Sequence, residues 1–395
     1  MVPPGSVLVP GHKMLLTRPG TQAGIQGPVM GHRRALASTL LVALLAACAS
    51  QTRSGTVPTP TARVVGGLSD SGVPLPTVAA AAVPGRIVTV RAGALVVIDA
   101  GRTMTIVPPP AGGEVKTPAW SPDGRSIAYA QTSRSAAPRA GRPSPDELPT
   151  TDLLVAAADG SGARVAVRHD GPGGQVDGPV WTPDGRALVY SYYRAAYDGD
   201  QFVADTLEVR RSDLGTGATT TLVQNASSPT LSGDGRQLAY LRDDSAVGQS
   251  VVVAPFGEAA ERTLVRPADF AQLQGPALSP DGAIVAFAAA RVPTAGSIGR
   301  DTLALAPRDL ARSLLAAAPA SAHGFPWEIW LVPAAGGAAR QVTSIGEDSP
   351  FVRWSPDGAR LLVAGGGGLY LVDLRAGTTS FVDASGSHGG VDWHP

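Results

Sequence analysis

From residue 86 onward the chain is written in short bursts of apolar residues separated by turn-forming ones. Arg86-Ile-Val-Thr-Val90, Ala94-Leu-Val-Val-Ile98 and Thr103-Met-Thr-Ile-Val107 each run five residues, the length and β-branched content of a strand rather than a helix. Later bursts have the same character: Leu153-Leu-Val-Ala-Ala157, Ala163-Arg-Val-Ala-Val167, Glu328-Ile-Trp-Leu-Val332 and Arg340-Gln-Val-Thr343. The pattern predicts an all-β domain over residues 84–395. Asp309–Ala318, after Pro307 and within an insertion at 291–326, reads equally as a short helix or as a disordered stretch.

The bursts are organised by a repeat. Pro118-Ala-Trp-Ser-Pro-Asp-Gly124 is followed by Arg125-Ser-Ile-Ala-Tyr129, and Pro179-Val-Trp-Thr-Pro-Asp-Gly185 by Arg186-Ala-Leu-Val-Tyr190. Pro229-Thr-Leu-Ser-Gly-Asp-Gly235, Pro276-Ala-Leu-Ser-Pro-Asp-Gly282 and Val352-Arg-Trp-Ser-Pro-Asp-Gly358 continue the series, with 61, 50, 47 and 76 residues between successive aspartates. Each copy reads as a strand, a tight turn and a second strand. Proline presets φ, the aspartates Asp123, Asp184, Asp234, Asp281 and Asp357 accept from nearby amides, and glycine takes the left-handed position. Two more strands follow in most copies, and four strands per repeat of this length is the content of a propeller blade.

The series resembles the PD40 or WD40-like repeats of the TolB-type β-propeller family over residues 84–395. Gly233 departs from it in place of the turn proline, as do Leu231 and Leu278 in place of tryptophan. Members of that family are periplasmic partners in envelope complexes; the likeness covers only their propeller, so it implies an envelope protein and not a role in the Tol system. Gly390-Val-Asp-Trp-His-Pro395 matches the strand that precedes a turn motif. Residues 86–107 supply three strands without such a lead. The expected fold is therefore a six-bladed β-propeller closed by pairing of the C-terminal strand with the first blade, leaving no long free edge. Trp120, Tyr129, Trp181, Tyr190 and Trp354 are expected to pack between blades.

Composition narrows the function. The 395 residues carry 32 cations and 32 anions, and only Lys13 and Lys116 are lysines. A neutral chain without a basic run lacks the footprint of a nucleic-acid binder. Glycine (48) and proline (35) are abundant, as a fold made of many turns requires.

The segment ahead of residue 49 has its own pattern. Gly31-His-Arg-Arg34 is a short cationic segment, Ala35–Ala47 an apolar one too short to span a bilayer, and Leu45-Ala-Ala-Cys48 resembles a lipobox. That resemblance implies a lipoprotein signal peptide over 30–47 and lipidation of Cys48, which fixes the protein to membrane lipid. Residues 1–29, with five prolines ahead of the cationic segment, are expected not to belong to the native protein, whose start is Met30. Residues 48–83 read as a flexible tether. The expected location is the cell envelope, lipid-anchored on its extracytoplasmic or periplasmic side.

Chemistry-bearing residues are sparse. Chain direction puts residues 131–150, 191–203 and 291–326 on one rim, and long loops on one rim make a binding face. Tyr192, Tyr193, Tyr197, Asp198 and Asp200 are its densest cluster, suited to a protein or envelope-glycan partner; the competing expectation is that the tyrosines extend a strand and pack locally. Asp177, Asp348 and Asp392, near the starts of first strands, are expected to cap loops, and would mark an active site at a pore mouth if the propeller were a carbohydrate-binding protein, hydrolase or lyase. No G-x-S-x-G, phosphate loop or H-E-x-x-H occurs. Asp198-Gly-Asp200 lacks the further ligands of a calcium loop, and no metal or cofactor is expected. The chain ends on a propeller strand rather than in a hydrolase domain. A monomeric, non-catalytic scaffold is the expectation.

Overall fold

The computed structural model describes residues 69, 72, 74–133, 148–198, 201–244, 247–291, 326–384 and 386–395. The leader, Cys48, the first part of the expected tether, Asp200 and the 309–318 stretch lie outside these residues. Within them are twenty-four strands and a single 3-10 turn, Ala80–Ala82. No helix among the described residues is long and apolar enough to cross a membrane.

The strands fall into antiparallel four-stranded units. The first combines β1 (Arg86–Arg91), β2 (Ala94–Asp99) and β3 (Arg102–Val107) with the distant β24 (Val391–His394). The second is β4 (Gly113–Trp120), β5 (Ser126–Ser133), β6 (Thr150–Ala157) and β7 (Arg164–Val167). The third is β8 (Gln175–Trp181), β9 (Ala187–Asp198), β10 (Gln201–Asp213) and β11 (Thr219–Gln224). A lone parallel bridge, Thr151 to Gln175, connects the second and third. The fourth is β12 (Ala226–Leu231), β13 (Gln237–Asp244), β14 (Gly248–Pro255) and β15 (Arg262–Val265). The fifth is β16 (Gln272–Leu278), β17 (Ile284–Ala290), β18 (Trp327–Pro333) and β19 (Arg340–Gln341). The sixth is β20 (Phe351–Trp354), β21 (Arg360–Gly365), β22 (Gly368–Asp373) and β23 (Thr378–Asp383). β24 pairs with β1 in the register Arg86–His394 to Thr89–Val391.

Each repeat turn joins the first strand of a unit to its second, and its geometry is more specific than a reversal. The Gly124 amide closes the turn onto the Ser121 carbonyl at 2.9 Å, and Gly124 itself sits at φ 65°. The Ser121 hydroxyl donates to Asp123 at 2.6 Å and accepts from the Ser126 amide at 2.9 Å. Thr182, Ser232, Ser279 and Ser355 repeat that bond to the turn aspartate. A buried hydroxyl thus clamps every copy, satisfying an amide that the strand ladder leaves over.

The core lies in the seams between consecutive units, so second strands are buried on both faces. Ile127 and Tyr129 pack with Val88, Val90, Leu95 and Val97 of the first unit, whereas Ala128 and Ala130 face Leu188 and Tyr190 of the third. One unit offers small side chains and the next fills the space with a ring, as with Ala239 and Phe287. Tyr129, Tyr190, Tyr240 and Phe287, each six residues after its turn aspartate, are almost wholly enclosed. Each such ring contributes roughly 1.5–3 kcal/mol by burial. The sixth and first units share a seam of the same kind, with Leu362, Ala364 and Leu369 against Ile87, Ile98, Val391 and Trp393.

Residues 74–83, the last part of the segment expected as a tether, join this assembly. Thr77 bridges Phe381 in parallel, and Val78 donates to the Phe381 carbonyl at 2.8 Å while the Phe381 amide donates to Pro76 at 2.8 Å. Val83 is buried in the seam between the sixth and first units.

Candidate functional site

First strands begin, and second strands end, at the same edge of each unit, as the pairs Gly113–Ser133, Gln175–Tyr193 and Gln272–Ala290 show. The hairpins joining second and third strands therefore gather on one face, and the repeat turns on the other. First strands touch in succession: β4 with β8, β8 with β12, β12 with β16, β16 with β20, β20 with β24 and β24 with β4. Each of β4, β8, β12 and β16 is broken by a bulge just after its start. The bulge carries a left-handed residue ahead of proline, and at Thr117 and Ser228 that residue is not glycine, with φ of 47° and 52°. Such a backbone costs about 1 kcal/mol or more, so the surroundings must hold it. They do: the Thr117 amide donates to the Gly389 carbonyl at 2.5 Å, and the Ser228 amide to the Ser191 hydroxyl at 2.8 Å.

Of the three carboxylates expected at a pore mouth, Asp177 is engaged by the first two of these bulges. Asp177 takes the Thr117 hydroxyl at 2.5 Å, the Gly178 amide at 2.7 Å and the Lys116 ammonium at 2.8 Å. Lys116, the sole lysine beyond residue 13, is thereby spent on a neighbouring unit. Asp392 lies deeper along its strand. It accepts from the Trp120 amide at 2.7 Å and faces the Arg353 guanidinium at 3.6 Å, bridging the sixth, first and second units. Burial pushes its carboxyl up from the usual range, against the pull of Arg353 and the Trp120 amide. Asp348 precedes β20 and accepts from the Ser349 hydroxyl at 3.3 Å. Each of the three carboxylates thus has its own set of partners.

Residues 191–203, expected as a loop, are for the most part strand. β9 and β10 stay paired as an arm out to Asp198 and Gln201, and they are the longest strands among the described residues. Local pairing takes the tyrosines inward: Tyr192 and Tyr193 are only 3% and 7% exposed. Tyr192 donates to Asp170 at 2.5 Å, and the Arg210 guanidinium lies 3.3 Å above its ring. Burial, then Asp170, pushes the Tyr192 phenol up to about 12. Arg210 is itself held by Glu208 at 2.7 Å. This stack ties the loop before β8 to the arm. Tyr197 and Asp198 close the end of β9.

The five turn aspartates serve the turns on the opposite face. Their carboxyls lie below the usual range because the Ser or Thr hydroxyl donates to them, and next because the amide two residues on does so. Among the described residues no group of three or more His, Cys, Asp or Glu side chains gathers as metal ligands would. What sequence reading missed is the hydroxyl of each turn and the Lys116–Asp177 clamp. Serine is common in turns, and only its burial at Ser121, Ser232, Ser279 and Ser355 distinguishes it.

No family model and no curated protein sequence matches the chain. Solved structures do. TolB from Acinetobacter baumannii is 16% identical, with a TM-score of 0.51 over 78% of this chain and 65% of that one; this chain thus spans just under two thirds of its length. A puromycin-hydrolysing peptidase of Mycobacterium tuberculosis is 16% identical with a TM-score of 0.44, over 78% and 45% of the two chains. The β-propeller domain of the trilobed protease from Pyrococcus furiosus is 12% identical with a TM-score of 0.40, over 68% and 71%. At such identities the likeness concerns fold alone. The chain is an all-β protein with a propeller fold of the TolB kind.

Proposed function

We propose that this protein is an exported, lipid-anchored envelope protein whose six-bladed propeller, closed by β24 on β1, is a non-catalytic scaffold that binds a protein or envelope-glycan partner through its hairpin face. The observation that carries the scaffold reading is how Asp177 and Asp392 are employed. Asp177 holds the Lys116 ammonium and the Thr117 hydroxyl of the preceding unit, and Asp392 the Arg353 guanidinium and the Trp120 amide of the units on either side, so their acceptor capacity goes to joining blades. A general acid or base would instead have to reach a shared substrate position. Six blades and their closure are supported by the β24–β1 register and by the unbroken succession of first-strand contacts. The Gly31–Cys48 pattern supports export and lipidation.

Two experiments test this. Metabolic labelling with an alkynyl palmitate in an envelope-exporting bacterial host labels the wild type and leaves Cys48→Ala unlabelled; label on the variant overturns the anchor. Photo-crosslinking groups are then placed separately on the hairpin face, at Thr206, and on the turn face, at Arg186. Envelope material adds to the hairpin-face probe, and capture only by the turn-face probe overturns the proposed binding face.

A further inference from the structure

The arm of the third unit leaves part of one strand uncovered. β10 is paired with β9 along its length, from Gln201 to Asp213, but β11 covers it only from Glu208 to Ser212. Among the described residues, Gln201–Leu207 therefore carries no strand on its outer side. An open edge offers backbone donors and acceptors to a further strand.

The sheet face beside that edge has a definite character. Val203 on the arm and Val247 on the β13–β14 hairpin of the next unit are 62% and 65% exposed, the highest of the large apolar side chains described. Asp205, two residues along β10 from Val203, is exposed as well. Its charge reaches Asp243 on the neighbouring hairpin: the Asp243 carboxyl is pushed up by burial first and then by the like charges of Asp205 and Asp244, with the Gln249 side chain opposing. Two described arginines near these hairpins have partners of their own. Arg242 is taken by Glu261 and the Gln224 carbonyl, and Arg194 packs over Gly171.

Resting on the hairpin face as the binding face, we infer that the Gln201–Leu207 edge receives an extended, basic and aliphatic segment of a partner protein, added as a further strand. The edge supplies backbone pairing. Every second side chain of the added strand falls on the face that carries Asp205, where a Lys or Arg relieves the crowding of carboxylates and an aliphatic neighbour covers Val203 and Val247.

The probe is a fluorescent lysine–valine peptide of about eight residues, Lys-Ser-Val-Ser repeated so that lysine and valine share one face of the added strand, read by anisotropy against the folded propeller. The wild type binds it, Asp205→Asn/Asp243→Asn binds it about fivefold more weakly, and about 0.5 M salt removes the binding. The glutamate–valine peptide, and the lysine–valine peptide N-methylated at alternate amides, do not bind. Equal binding by wild type and double variant, undiminished binding of the N-methylated peptide, or no binding by the wild type each overturns the inference. The salt and N-methyl comparisons use unaltered protein, so they stand even if the double variant folds poorly. Envelope capture on the hairpin face that ignores the double variant overturns this inference and spares the face; capture confined to the turn face removes both.

Discussion

The amide of Gly233 donates to the carbonyl of Pro280, 3.0 Å away in the neighbouring repeat turn. A Cβ at position 233 would stand 2.7 Å from that oxygen. In the other four repeats a proline occupies the position, so restoring the repeat pattern by Gly233→Pro looks like a stabilising repair. The prediction is the reverse: Gly233→Pro removes the donor, crowds the acceptor and costs about 1–3 kcal/mol in urea unfolding. A raised unfolding midpoint would show that this contact contributes nothing.

The buried turn hydroxyls predict a second ordering. Ser355 donates to Asp357 at 2.5 Å and accepts from the Arg360 amide at 2.8 Å. Ser355→Ala leaves that amide without its acceptor and costs about 1–2 kcal/mol. Ser355→Thr keeps most of the stability, because Thr182 makes both bonds in its own turn. Urea denaturation of the two variants side by side decides it; equal losses would place the effect in packing rather than in the bond.

The acid response should have two parts of opposite sign. The turn aspartates have depressed folded-state values, so their contribution is complete above the unfolded value, about 3.9, and is lost as pH falls through the lower folded values. Asp392 is shifted upward. Its contribution is complete below about 3.9 and fades as pH rises through its folded value. Stability followed by urea midpoint should therefore fall steeply below about pH 4, and Asp392→Asn should flatten the limb above it while leaving the acid limb in place. A variant whose profile parallels the wild type throughout would show that Asp392 titrates normally.

Trp393 reports on the junction of the chain ends. Its ring is buried between the sixth and first units, and its indole donates to the Pro84 carbonyl at 2.7 Å. Trp393→Ala should cost about 3–5 kcal/mol. Hydrogen exchange should then speed up first in β1 and in β20 to β23, since both sides of that seam lose their packing. Uniform acceleration over all units would mean that the seam is no weaker than the others.

Much of the fold was legible because its signals are local. Arg86–Val90, Ala94–Ile98 and Thr103–Val107 became β1 to β3 with shifts of a residue at their ends, and the strand over Val391–Trp393 pairs with β1 as its likeness to other first strands suggested. What stayed hidden depends on distant partners. The arm at 191–203 looked like an insertion because Asp198-Gly-Asp200 is a turn signal, and nothing nearby says that Tyr192 will be covered by Arg210. Asp177 and Asp392 drew attention as carboxylates near strand starts. Their roles follow from Lys116, Thr117, Trp120 and Arg353, which lie from 39 to 272 residues away. Gly233 looked like a weakened copy of the motif, and its reason lies in the next turn.

The short segment Pro76–Val78 changes how the propeller would respond to being pulled. Its two hydrogen bonds run to Phe381 on the outermost strand of the last sheet, whereas β1, only eight residues further on, pairs with β24. Tension entering through the N-terminal chain meets Phe381 before it meets the β1–β24 junction. Bonds to a parallel partner are loaded in shear, together. The segment therefore acts as a mooring line made fast to a bollard, so that the knot holding the two chain ends is spared the first of the strain.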